Sequence, residues 1–159
     1  MKHSEKQWLN TVPWDSVLLL NKSLCQAQKL DPLTNAKGYD KAERLWQGAV
    51  RKTMNLRDAL DLCHEAFDLG PFTFNNGNTF AAIGRTLIDE PLKMMPPVEA
   101  QIIRTTVCHY IAGLIGRKEL LQVLRHFEEV MAAPPSGPAR TETPTAHPAA
   151  NVPAQAVTR

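Results

Sequence analysis

The chain has 159 residues, 43% of them hydrophobic, enough for one domain with a substantial core. Its formal net charge is only +2, and Lys and Arg are interspersed with Asp and Glu, a pattern that argues against a nucleic-acid partner. No apolar run approaches the roughly 18 residues that a membrane-spanning helix needs, so no membrane segment or signal peptide is expected.

In chain order, Ser4 and Glu5 open a short helix carrying Trp8 and Leu9, which Pro13 interrupts. Asp15 is the expected N-cap of the next helix, with Val17, Leu20, Leu24 and Ala27 on one stripe, and Asp31-Pro32 stops it. Residues 40–54 form the cleanest amphipathic helix: Ala42, Leu45, Trp46, Ala49 and Val50 share a face while Lys41, Glu43, Arg44 and Arg51 oppose it. Asn55 caps a helix whose buried side holds Leu56, Ala59, Leu60, Cys63 and Phe67, and whose wet side holds Arg57, Asp61, His64 and Asp68. Gly70 suits the left-handed residue that ends it.

After a loop, Asn78 or Thr79 starts a helix to about Glu90, ended by Pro91. Pro96-Pro97 opens the most apolar helix, 98–115, which bears Val98, Ile102, Ile103, Val107, Tyr110, Ile111, Leu114 and Ile115 and reads as the central helix, closed by Gly116. The last helix, Arg117 to Met131, is expected to turn Leu120, Leu121, Leu124, Phe127 and Met131 inward. No stretch alternates as a strand does. The expectation is therefore an all-α fold: a compact bundle of about six helices in a single domain, 1–132, followed by a disordered Pro/Ala/Thr-rich tail, 133–159, too poor in large apolar residues to offset its ordering entropy.

Three cysteines, Cys25, Cys63 and Cys108, are odd in number and far apart within helices, which suits free thiols in a reducing cytoplasm. Cys63-His64 and Cys108-His109 repeat a pair that could supply zinc ligands. Helix neighbours point about 100° apart, however, so each pair reads as one buried thiol and one surface imidazole, and no metal or cofactor is expected. The two helices joined at Gly116 could suggest a helix-turn-helix, but Gln122 and Arg125 fall where a recognition helix needs apolar residues, and Glu119, Glu128 and Glu129 repel phosphate. An ordinary helical hairpin is the better reading.

The distinctive stretch is the elbow FDLGPFTFNNGNTFAAIGR, Phe67 to Arg85, in which three phenylalanines surround an asparagine-rich corner. Gly77 is expected at positive φ, and Asn78 or Thr79 as the following cap. Gly70-Pro71-Phe72, then Gly77-Asn78, then a helix resembles the H-P-F-x-x-G-N-G-R motif of Fic-type nucleotidyl transferases. In that family the histidine is the general base and the Gly–Asn turn cradles phosphate at a helix N-terminus. This chain departs from it: Gly70 replaces the histidine, the Phe-to-Gly spacing is longer and Thr79 replaces the second glycine. The resemblance therefore implies no catalysis, only a phosphate-binding turn. No serine elbow, P-loop or H-E-x-x-H motif occurs.

The functional expectation is a small cytoplasmic, non-enzymatic helical protein that binds another protein, as an adaptor, chaperone-like factor or regulator. Phe72 and Phe80 anchor the elbow, while Phe74, Asn75, Asn76, Asn78 and Arg85 are the candidate contacts. The alternative is a small-ligand or nucleotide-binding domain that uses the same asparagines and Arg85, and a weaker one a nucleic-acid-associated regulator.

Overall fold

The computed structural model describes residues 5–133, so the expected tail lies, from residue 134 onward, outside the described residues. Six α-helices follow one another: α1 Trp14–Ala27, α2 Tyr39–Ala49, α3 Leu56–Leu69, α4 Asn76–Leu92, α5 Pro97–Ile111 and α6 Arg117–Ala132. Among the described residues there is no strand, only two isolated antiparallel bridges, Lys6 with Met54 and Thr34 with Phe72. The fold is all-α, as the periodicity predicts.

α3, α4 and α5 pack on one another and form the middle of the bundle. α1 lies on α4 and α2, α2 on α3, and α6 on α5. α5 is thus contacted on three sides, as its wide apolar surface implies, and α4 shares the centre with it by touching α1, α3 and α5. α4 meets α5 tightly at Gly84, where a Cβ would stand 2.1 Å from the Ile111 Cδ1, so the missing side chain leaves the room that Ile111 fills. Val98 and Ile102 remain on the outer side of α5, at 73% and 55% exposure, so its apolar circumference is wider than the core needs.

Several boundaries move, each for a local reason. The N-terminal segment 5–13 is not a helix: Lys6 and Met54 exchange both backbone hydrogen bonds, at 3.0 and 3.1 Å. The same bridge accounts for α2 ending at Ala49 rather than at Met54. α1 starts one residue before Asp15, with Pro13 as its N-cap; Asp15 occupies the first turn, where its charge favours the helix N-terminus. α4 runs through Pro91 to Leu92, since a proline near the end removes only one N–H donor. α5 is closed by Gly113, not by Gly116. Gly113 takes φ +74°, the Leu114 N–H donates to the His109 carbonyl at 2.8 Å and the Gly113 N–H to that of Tyr110 at 3.0 Å, the paired bonds of a Schellman motif. Gly116 instead stands at the N-cap of α6. Asn55 and Gly70 perform as expected: the Asn55 side chain accepts from the Asp58 N–H, and Gly70 is left-handed at φ +60°.

The loop before α2 is pinned to the end of α3. A Cβ on Gly38 would lie 1.7 Å from the Leu69 carbonyl oxygen, and backbone cannot yield as a flexible side chain does. Gly38→Ala is therefore expected to destabilise the protein by about 3 kcal/mol through overpacking. Urea unfolding of the variant beside wild type checks this; an unchanged midpoint would mean that the loop and α3 do not meet so closely in solution.

Candidate functional site

The elbow between α3 and α4 is anchored from inside. Phe72 is 3% exposed and Phe80 is fully buried, as expected for its two anchors. Phe72 stacks on Trp14 with centroids 6.2 Å apart and on Phe80 at 6.3 Å, and Phe80 in turn meets Trp46 at 5.8 Å. Both indoles are satisfied: Trp14 Nε1 donates to the Tyr39 hydroxyl at 3.0 Å and Trp46 Nε1 to the Val12 carbonyl at 2.8 Å. The aromatic column joins α1, α2, the elbow and α4.

A polar knot beside that column fixes the corner. Asn21 of α1, 2% exposed, donates through Nδ2 to the Phe74 carbonyl at 2.8 Å and to Oγ1 of the fully buried Thr79 at 3.1 Å. The Cys25 thiol donates to the Asn21 Oδ1 at 3.7 Å and accepts from the Asn75 Nδ2 at 3.5 Å. Every member of the knot has a partner, as buried polar groups require. Nothing in the sequence pattern singled out Asn21; a lone asparagine on the apolar stripe of α1 was the available signal, because only a hydrogen-bonded carboxamide survives there.

The corner's backbone differs from the expectation. Asn75, not Gly77, is left-handed, at φ 62°, and it forms the N-cap of α4 with its carbonyl accepting from the Thr79 N–H at 2.8 Å. Asparagine tolerates this conformation better than other residues with a side chain. Gly77 sits inside the first turn of α4, where an added Cβ would be 3.5 Å from the Ala112 Cβ, an ordinary contact. Asn78 and Thr79 are likewise within the helix and do not begin it. The Gly–Asn turn implied by the nucleotidyl transferase resemblance is therefore absent from this corner.

The five candidate contact residues do not form one cluster. The Asn76 carboxamide closes on its own loop, with Oδ1 accepting from the Phe72 N–H at 3.0 Å and Nδ2 donating to the Phe72 carbonyl at 2.6 Å. Asn75 turns toward α1, donating to the Gln28 Oε1 at 3.2 Å, and its Oδ1 accepts from the Asn78 Nδ2 at 3.0 Å. Phe74 is 39% exposed, and Asn78 and Arg85 are exposed. Asn78 and Arg85 share a face of α4 but stand roughly 10 Å apart along its axis. Leu33, 56% exposed, joins Phe74 at the surface, because its carbonyl accepts from the Thr73 N–H at 2.9 Å.

The Cys-His pairs point apart. Cys63 is fully buried, whereas His64 reaches the Ile111 carbonyl through Nδ1 at 3.2 Å; Cys108 lies against the Ala81 carbonyl at 3.8 Å, and His109 is exposed. Among the described residues no group of three or more His, Cys, Asp or Glu side chains could hold a metal ion. Burial pushes the Cys63 thiol up to about 12. Burial also raises Cys108, with the Arg85 charge opposing it.

Two outcomes follow from this geometry. Asn76→Ala strips both backbone groups of buried Phe72 of their partners and is expected to cost about 2 kcal/mol. Chemical denaturation measures it, and a loss no larger than that of an ordinary surface substitution would show that water replaces the carboxamide. Alkylation near pH 8, followed by mass spectrometry, should label Cys108 first, because it alone of the three thiols is not fully buried. Cys63, held as the neutral thiol, should react only in denaturant; labelling of Cys63 at the rate of Cys108 would contradict the packing.

No family model, no curated protein and no solved structure matches this chain.

Proposed function

We propose that this chain acts by binding another protein, and that the contact is the outer side of the elbow, centred on Phe74 with Leu33 beside it and Asn78 at its edge. The observation that supports the reading is Phe74 itself. The residue is 39% exposed while its carbonyl is held by the buried Asn21 carboxamide at 2.8 Å. An aromatic group half in water on a fixed backbone loses little freedom on binding, the property of residues that dominate protein interfaces. The polar rim is supplied by Asn78, Thr73 and the Asn75–Gln28 pair.

The asparagines enter this reading as two kinds. Asn75 and Asn76 shape the corner and set the direction of Phe74, and Asn78, exposed and tied to Asn75 through its Nδ2, stands at the rim. The small-ligand alternative would need those carboxamides to face a ligand, and no observation of the geometry favours it. Arg85 belongs to the neighbouring surface of α4 and α5.

Phe74→Ala should leave stability within about 1 kcal/mol, because the ring is already partly hydrated. Its affinity for the partner should fall roughly tenfold, as for an interface anchor. Proteins retained from a lysate of the native host on wild type, on Phe74→Ala and on the remote control Lys93→Ala provide the comparison. The reading expects a species held by wild type and the control but lost with Phe74→Ala. An identical set on all three would remove the elbow from consideration.

A further inference from the structure

α6 is fastened differently from the other helices. Among the described helices, each of the others borders two or three neighbours, whereas α6 borders only α5. Its buried residues are Leu120, Leu124 and Phe127. The links to α3 that hold it are ionic. Near its start, Arg117 donates to the Asp61 carboxylate through Nη2 at 2.8 Å and Nε at 3.0 Å. Near its end, Glu128 accepts from Arg57 through Nη2 at 2.7 Å and Nε at 3.2 Å. A third polar link, His126 to Glu99 at 3.1 Å, ties it to α5. Asp61 also accepts from the Tyr110 hydroxyl at 2.6 Å, which sets the carboxylate to meet Arg117.

The side chains of both clamps are reached by solvent: 54% and 29% exposed for Arg117 and Asp61, 25% and 32% for Arg57 and Glu128. The joint between α5 and α6 spans residues 112–116 and carries Gly113 in the left-handed conformation. With the clamps broken, the described contacts left on α6 are its apolar face on α5 and the exposed His126–Glu99 link.

We propose that α6 is a separately opening unit of the fold, which swings off α5 about the 112–116 joint while α1 to α5 stay folded, and which the Arg57–Glu128 and Arg117–Asp61 clamps hold closed. Opening uncovers the α5 surface that receives Leu120, Leu124 and Phe127. Local opening of this kind takes the elements with the fewest buried contacts, and partly exposed ion pairs make it dependent on salt. The proposal stands apart from the elbow reading, since it involves neither Phe74 nor any residue of that face.

Hydrogen–deuterium exchange on the full chain tests it. Amides of residues 120–132 should exchange at least tenfold, as an order of magnitude, faster than those of residues 83–88 in α4. Raising salt from about 20 to about 500 mM should widen the gap roughly two- to fivefold, the worth of such pairs. Arg57→Gln and Arg117→Gln, made separately, should each widen it at low salt, with helicity by circular dichroism confirming that both remain folded. Equal protection in α6 and α4 would overturn the proposal, since α6 would then open only with the whole protein. A gap that neither salt nor either variant moves would overturn the role of the clamps.

Discussion

The Asn21 carboxamide is the constraint around which this structure is arranged. It is a polar group in an apolar setting, and leaving it unpaired would cost about 1–3 kcal/mol. Its partners, the Phe74 carbonyl and the Thr79 hydroxyl, lie 53 and 58 residues further along the chain. Satisfying it sets the distance and rotation of α1 against α4, and it fixes where α4 can begin. The left-handed Asn75 and the inward-turned Asn76 follow from that, because the chain must leave the knot and enter a helix within two residues. The aromatic column of Trp14, Phe72, Phe80 and Trp46 supplies the apolar burial, and the knot supplies its alignment.

The two ends of the bundle are built on different physics. At the elbow, large rings and satisfied carboxamides leave little room for motion. At α6, a short apolar stripe is supplemented by charge pairs at its rim.

Much of the architecture was legible in the sequence, where the causes are local. Asn55 with Asp58 marks a helix start, Gly70 a left-handed stop, and the spacing of Phe72 and Phe80 around a polar corner marks two anchors. What was not legible depends on contacts between distant residues. The rule that positive φ belongs to glycine favoured Gly77 over Asn75, but the register of α4 is decided by Thr79 meeting Asn21. Residues 50–54 look helical until Met54 pairs with Lys6. The stripe Arg57, Asp61, His64, Asp68 reads as a solvated face. Its first three members instead meet α5 and α6, through partners 47 to 71 residues away. Of the candidate site, the aromatic element was visible in advance, whereas the inward direction of two asparagines required the fold.

The separation between Asn21 and its partners also bears on the order in which the chain assembles. The α5–α6 hairpin and the α3–α4 corner close over short stretches of chain, where the entropic cost of loop closure is small and the contacts form early. The knot cannot form until α1 has found α4 across more than fifty residues. Asn21 is thus a long-range tie: its bonds to Phe74 and Thr79 close more than fifty residues of chain, the kind of closure that costs more entropy than a hairpin does. An apolar residue in place of Asn21 would remove that tie, so that misaligned arrangements of α1 would be penalised less against the native one.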